Sequence, residues 1–278
     1  MAEHTSPWRG RRVLVTGCTG FLGSAVAREL FAHGAEVVGL VHERPAPDTF
    51  GTDQGGRVRF IHGRTDNVFR LHSAMAVHEV AAVFHLAAHD PFGEDRGTHA
   101  VLQAAKLYSR RVPIVTALPL QPLAIARSAE PRDDRLSVAR FGEVFGPGDR
   151  KLFRVVPATA LGLLTGDGTT VPLDSPPRDF VFIRDAARAC LRVAEATVTG
   201  GSGNYPFRSG WLFTDRQMSA AVRDVYSARP VAIPDSAAPT NPLRWQPQQT
   251  LGESLDETVA WYREFLRVGC TAPLRAAA

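Results

Sequence analysis

Lysine is nearly missing from this 278-residue chain. Only Lys106 and Lys151 occur among 32 basic residues; the others are arginines spread along the sequence. The formal charge is +4, yet no basic stripe forms, and a nucleic-acid surface needs one. Nucleic acid is therefore not an expected partner. Cysteine is scarce as well. Cys18, Cys190 and Cys270 are odd in number, far apart and without a CxxC pair, which argues against a disulfide framework and a zinc site. A reducing cytoplasm suits such a chain. No run of about 18 apolar residues occurs, so no membrane span is expected. Residues 1–10 lack the apolar stretch of a signal peptide. Repeats and low-complexity tracts are missing too. What is present is an ordinary globular composition, 44% hydrophobic and 22% charged, long enough for one large domain or two lobes.

Short apolar runs alternate with amphipathic ones. Residues 11–16 (RRVLVT), 35–41 (AEVVGLV), 57–61, 81–87 (AAVFHLA), 112–116 and 136–140 read as strands. Continuous apolar character is what parallel strands buried on both faces require. Helices are expected over 21–33, from Asp66 or Asn67 to about Glu79, over 98–109 and over 254–267. Gly34 stops the first of them. This order predicts an α/β, Rossmann-type doubly wound parallel sheet. After Gly146 the pattern is broken by Gly, Pro and Asp through Arg178, as in loops that shape a binding lobe. The expected division is 11–145 for the dinucleotide-binding domain and 146–278 for a smaller substrate-binding lobe. Within that lobe some segments, at about 178–208, are expected to return to the sheet.

The strongest local signal is Thr16-Gly17-Cys18-Thr19-Gly20-Phe21-Leu22-Gly23. It follows a strand and opens a helix. Gly17 permits a tight turn, Gly20 a close approach of backbone to a pyrophosphate, and Gly23 close packing of helix on sheet. The helix start offers N–H groups and partial positive charge to phosphates. The expected cofactor-binding set is Gly17, Thr19, Gly20, Phe21, Leu22, Gly23, His42, Arg44, Leu86, Ala87, Ala88 and Thr116.

TGCTGFLG resembles the cofactor motif of the extended short-chain dehydrogenase/reductases, which include nucleotide-sugar epimerases and 4,6-dehydratases. Residues 83–88 (VFHLAA) are similar to that family's fourth-strand motif, which lines the cofactor. Residues 140–149 (RFGEVFGPGD) resemble its R-x-x-N-V-Y-G-P-G segment, and 178–189 (RDFVFIRDAARA) its RDYVYVDDVARA segment. Residues 243–247 (LRWQP) and the closing WYREFL resemble its C-terminal signature. The resemblance covers nearly the whole chain.

NAD binders of this type place Asp or Glu at the end of the second strand, where it accepts from the ribose 2′-hydroxyl. Here that end carries His42 and Arg44 around Glu43. Cations there pair with a 2′-phosphate, so NADP(H) is the preferred expectation and NAD(H) the alternative, with Glu43 then taking the ribose. Arg64 stands where the resemblance implies an Asp near the adenine.

The family's Tyr and Lys, four residues apart on one helix, are not found. Tyr108, Tyr205, Tyr226 and Tyr262 are followed four positions later by Val112, Ser209, Pro230 and Leu266. Only 18 residues separate Ala117 from Leu136, and Pro119, Pro122 and Pro131 interrupt them. At most a short helix over about 123–130 fits. The family's Ser/Thr position aligns with Leu118, two residues beyond Thr116. Glu143 replaces the motif's Asn and would repel a diphosphate.

These features suit an NAD(P)H-dependent ketoreductase without the Tyr–Lys pair. The combination resembles extended-family ketoreductases of angucyclinone-type polyketide biosynthesis, and that resemblance implies a small-molecule aromatic ketone as substrate, in the making of an antibiotic. A ketone flanked by a phenol stabilises its own alkoxide, so the proton could come from substrate or water. Thr116, His89 and Tyr205 are the candidate catalytic side chains. Pro91, Phe92, Leu118, Leu120, Phe145 and Phe153 are the candidate substrate contacts. One alternative is a non-catalytic NAD(P)-binding sensor or partner-binding protein. Another is a nucleotide-sugar epimerase or dehydratase using Asp149 or Glu143. Extended family members often dimerise through the Tyr–Lys helix, so its loss predicts a monomer.

Overall fold

The computed structural model describes residues 6–42, 58–87, 96–108, 111–120, 133–168, 175–233, 239 and 241–268. In chain order it contains β1 (Arg12–Thr16), α1 (Phe21–Ala32), β2 (Glu36–Val41), β3 (Val58–His62), α2 (Val68–Val77) and β4 (Ala82–His85). Then come α3 (Arg96–Leu107), β5 (Ile114–Pro119), β6 (Leu136–Phe141), β7 (Glu143–Phe145), α4 (Val155–Thr165) and β8 (Arg178–Phe182). The chain continues with α5 (Ile183–Val198), β9 (Asn204–Phe207), β10 (Leu212–Phe213), α6 (Asp215–Tyr226) and α7 (Leu251–Arg267). The helix expected over 123–130 lies outside the described residues.

Seven strands form one sheet in the order β3-β2-β1-β4-β5-β6-β9. β1 pairs in parallel with β2 and β4, β2 with β3, and β4 with β5. Crossing from β1 to β4 reverses the strand order, which is the switch point of a doubly wound sheet. The expected fold class is thus the observed one. Val13, Leu14, Val15, Val83 and Phe84 have no exposure at all, so the apolar runs are apolar because helices cover both faces. A core of Leu14, Val38, Leu71, Met75, Val83, Val101 and Ile114 joins β1, β2, β4 and β5 to α2 and α3. Each such side chain contributes about 1.5–3 kcal/mol by leaving water.

Local signals set the helix ends. Asn67, rather than Asp66, caps α2 by accepting from the Arg70 N–H. Gly34 turns with φ +84° just after α1. Thr214 and Gln217 form a capping box on α6, as do Thr250 and Glu253 on α7, and each box satisfies two orphan donors.

The chain divides into two compact units, Met1–Arg140 with Ala187–Pro206, and Phe141–Ala186 with Phe207–Ala278. In the second, β10, β8 and β7 form a three-stranded sheet, while α4, α6 and α7 pack on one another. Of the stretch expected to return over about 178–208, Ala187–Pro206 falls in the first unit and β9 joins the main sheet, while β8 pairs with β7 in parallel and with β10 antiparallel.

Candidate active site

The turn after β1 is built by contacts that only glycine allows. Gly17 has φ +71°, and a Cβ there would stand 2.5 Å from the Leu86 carbonyl oxygen. The turn therefore lies directly on the end of β4. A Cβ at Gly23 would come within 2.0 Å of the Gly17 oxygen, so α1 starts in backbone contact with the same turn. Gly20 is the N-cap of α1, and no side chain caps that helix. Its first-turn N–H groups and the positive end of its dipole suit an anion.

A cavity of about 580 Å³ opens over this turn. Gly17, Thr19 and Gly20 form one wall; Leu40, Val41 and His42 come from the end of β2, and Gly63, Arg64, Thr65 and Asp66 from the turn after β3. His85, Leu86 and Ala87 at the end of β4, with Arg96 and Gly97 at the start of α3, complete it. Every wall lies at the carboxyl ends of the strands, where an open α/β sheet binds ligands. The volume falls in the range of ligand sites, roughly 300–1,000 Å³.

Thr16, His85 and Thr116 pair across β1, β4 and β5 in register, and all three are buried. Thr16 Oγ1 and His85 Nδ1 share a hydrogen bond of 2.7 Å. A Cβ at Gly97 would meet the imidazole at 3.1 Å, so the missing side chain at the start of α3 makes room for the ring. Arg64 donates from Nε to one carboxylate oxygen of Asp66 at 3.0 Å and from a terminal nitrogen to the other at 2.8 Å. Chiefly through those bonds, Arg64 holds the Asp66 carboxyl below the usual carboxylate range. Cys18 lies in the cradle, but burial pushes its thiol up to about 11. It stays a protonated packing group rather than a nucleophile. No group of three or more metal-ligating side chains exists among the described residues, and no described helix is long and apolar enough to cross a membrane.

The strand order, switch point and glycine cradle define a Rossmann-type nucleotide-binding protein. Residues 13–107 and 124–205 match the NAD dependent epimerase/dehydratase family, and the chain belongs to that family. A UDP-glucose 4-epimerase of Mycolicibacterium smegmatis is 25% identical over 312 residues, covering 91% of this chain and 98% of its own. A dTDP-4-dehydro-6-deoxy-D-allose reductase of a Streptomyces species is 26% identical, covering 92% of this chain and 97% of its own. The crystal structure of a dTDP-glucose 4,6-dehydratase from Streptomyces venezuelae, with NAD bound, superposes with a TM-score of 0.71 at 24% identity. That likeness covers 95% of this chain and all of the other.

The expected cofactor residues Gly17, Thr19, Gly20, His42, Leu86 and Ala87 converge on the cavity. Phe21, Leu22 and Gly23 form the start of α1 behind it. Arg44, Ala88, His89, Pro91 and Phe92 lie outside the described residues. Thr116 is one strand beyond the cavity wall, buried beside His85. Leu118 is still within β5 and half-buried, and Leu120 follows it.

Three expectations need correction. Phe145 is 1% exposed, packed against Phe180, Phe182 and Trp211 with ring centroids 5.8–6.4 Å apart; it is a core residue, not a pocket wall. Phe153 is 63% exposed and is not among the residues that line the cavity. Tyr205 sits on the edge strand β9, two strands from β5 and so about 10 Å from Thr116. A Cβ on Gly201 would come within 3.0 Å of its hydroxyl, so that hydroxyl lies against the turn joining α5 to β9.

Leu40, Val41, Gly63, Thr65, Asp66, His85, Arg96 and Gly97 line the cavity without having been assigned from sequence. Apart from His85, which lies within the fourth-strand motif, they carry no motif of their own. Their shared signal is position, just past the carboxyl ends of strands or at a helix start.

Proposed function

We propose that this protein is a nicotinamide-dinucleotide-dependent ketoreductase whose proton does not come from a Tyr–Lys pair. One observation carries the reading: the cradle is complete while no Tyr-x-x-x-Lys exists in the chain. The residues fit the cofactor, since Gly17 and Gly20 keep backbone open to a pyrophosphate and α1 presents an uncapped start. When bound, a reduced nicotinamide supplies hydride to a carbonyl carbon. The protein's share is to bind, orient and exclude water, and orientation alone is worth several kcal/mol, roughly 7–11 in favourable cases.

None of the four tyrosines is among the residues that line the cavity. Tyr108 reaches the Val80 carbonyl at 3.4 Å, Tyr262 the Asp149 carbonyl at 2.5 Å, and Tyr226 ends α6. Thr116 remains an orienter for a carbonyl or a nicotinamide amide. Substrate or water then supplies the proton, which a phenol-flanked ketone does readily. An aromatic polyketide ketone of the angucyclinone type is our substrate class.

A second unit feature supports a substrate without a diphosphate. Glu143 contacts Arg154 at 2.5 Å and Arg178 at 3.6 Å, while Arg154 also holds Asp149 at 2.7 Å and Arg178 holds Asp215 at 2.5 Å. Three carboxylates against two guanidiniums leave this cluster with a net negative charge. The relatives' names favour the other reading, a dTDP-4-keto-sugar reductase. Oxidation of NADPH or NADH with phenol-flanked ketones on one side and a dTDP-4-keto-6-deoxy-sugar on the other separates them. Turnover of the sugar alone would reverse our assignment; turnover of neither, with micromolar cofactor binding, would leave a sensor.

NADP(H) is our preferred cofactor, because β2 ends without an acid and His42 lines the cavity. Dissociation constants for NADPH and NADH test this, tighter NADH binding counting against it. A monomer in solution goes with the shortened crossover after β5, and light scattering checks it.

A further inference from the structure

We infer that Arg140 is a substrate-binding residue of the proposed reduction, its guanidinium holding the oxygen that turns negative when hydride reaches the carbonyl carbon. The inference rests on the ketoreductase reading above. The Ile114 N–H donates to the Arg135 carbonyl at 2.7 Å. That bond sets Ile114 beside Leu136 and, four residues further along both strands, Leu118 beside Arg140. Neighbours in register share one side of a sheet, and Ile114 and Leu136 do meet in one core cluster. Thr116, Leu118 and Arg140 therefore stand on the same face, toward the carboxyl ends of β5 and β6. Those ends lie beyond β4, on the other side of the switch point from β2 and β3, and serve the second mononucleotide half of such a sheet.

Arg140 is half-buried, and both of its bonds go to neutral oxygens. Nε donates to the Asn204 side-chain oxygen at 3.3 Å and Nη1 to the Pro119 carbonyl at 3.2 Å. These bonds fix the guanidinium between the end of β5 and β9. Among the described residues no carboxylate pairs with it, whereas Arg135, Arg154 and Arg178 each hold one. Five donors less the two in use leave three N–H groups, both of Nη2 among them. A fixed planar cation with open donors suits an anion shared by neighbouring oxygens. Reduction of a phenol-flanked ketone makes such an anion. Hydride bonds to the carbonyl carbon, the C=O electron pair moves to oxygen, and the alkoxide takes the proton of the adjacent phenol. The charge then rests on the phenolate until water returns a proton. Leu118, half-buried beside Arg140, gives the aromatic ring an apolar contact.

The test titrates a coloured phenol on the full-length protein. The probe is 2-hydroxy-5-nitroacetophenone, a phenol-flanked ketone whose phenolate absorbs visible light. It is bound together with NADP+, so that no turnover occurs. Absorbance against pH gives its pKa free, on wild type, and on R140Q and R140K. Melting curves check that the variants fold, and NADPH titration that they keep cofactor binding. Wild type should lower the pKa of the bound phenol by about 1 or more, as a cation at contact distance does. R140Q should lose most of that effect, and R140K, which keeps the charge, should retain part of it. NADPH oxidation with the same ketone should show kcat about ten- to hundredfold lower in R140Q. An arginine that only ties β5 to β9 would change the melting temperature and leave the bound phenol as in wild type, which would overturn the inference. So would a wild-type protein that leaves the phenol at its free value, a result that needs no variant to fold. If wild type binds NADPH but neither binds nor reduces the probe, the ketone reading fails and this inference with it; if it binds the probe with an unshifted phenol, only the inference fails.

Discussion

Replacing Gly23 by Ala sets two known effects against each other. Helix propensity alone favours the change by about 0.8–1.0 kcal/mol. Position opposes it. The new Cβ would lie 2.0 Å from the Gly17 oxygen and 2.6 Å from the Gly17 carbonyl carbon. A comfortable C···O approach is about 3.3 Å, so helix and turn must separate by more than about 1 Å. Both partners are backbone, and the turn is itself pinned against Leu86, so no side chain can rotate away. Overpacking of this kind costs about 1–3 kcal/mol, here toward the upper end. The net expectation is a loss of about 2 kcal/mol. For a chain of this size that lowers Tm by roughly 4–8 °C. The displaced turn should also weaken NADPH or NADH binding at least about tenfold. Gly252→Ala is the matched control: it lies in the first turn of α7 with nothing within 4 Å of a new Cβ. It should stabilise by about 0.5–1 kcal/mol. Urea unfolding and fluorescence titration read both variants. If Gly23→Ala proved as stable as wild type and bound cofactor equally well, the close-approach argument for the cradle would be wrong.

Glu143→Gln should cost about 1–2 kcal/mol by removing the carboxylate shared by Arg154 and Arg178. It should also lower the pKa of Asp149, which burial chiefly raises and Glu143 raises further; carboxyl chemical shifts against pH would show an unchanged Asp149 if the two charges do not interact. Arg135 holds the Asp133 carboxyl below its usual value through bonds of 2.8 and 2.7 Å. Its folded pKa being depressed, the stabilisation is present above about pH 4 and is lost as pH falls through the folded value. Asp133→Asn should therefore flatten the acid limb of a Tm-against-pH curve, and an unaltered limb would count against the pairing. Thr250→Ala removes the capping box of α7 and should cost about 1 kcal/mol in urea unfolding; a change within 0.3 kcal/mol would mean that the cap contributes nothing.

Much of the nucleotide half was legible because its signals are local. A strand buried on both faces must be apolar throughout, so β1, β2 and β4 show themselves in composition. The cradle glycines show themselves because backbone contacts at Gly17 and Gly23 exclude any Cβ. Strand ends were read to within a few residues; β5 runs on to Pro119, so Leu118 belongs to the strand. The substrate half was read less well. Phe145 and Phe153 are both aromatic and lie near one another in sequence, yet one is core and the other solvent-facing. Residue type cannot separate these fates, since both depend on what β8 and its neighbours bring alongside. Tyr205 was misplaced for a similar reason: its strand joins the sheet at the edge, and strand order is a property of distant pairings.

By itself the sequence determined the parallel α/β class, the position and chemistry of the phosphate cradle, and the loss of the Tyr–Lys pair. These follow from short-range rules: periodicity, steric room at glycine, and residue identity at fixed spacing. Tertiary structure alone decided which side chains share the cavity. It put His85 beside Thr16, placed Arg64 and Asp66 on the same wall as His42, and locked Glu143 between two arginines. Such groupings arise where strands far apart in the chain end side by side, and no local pattern records that adjacency.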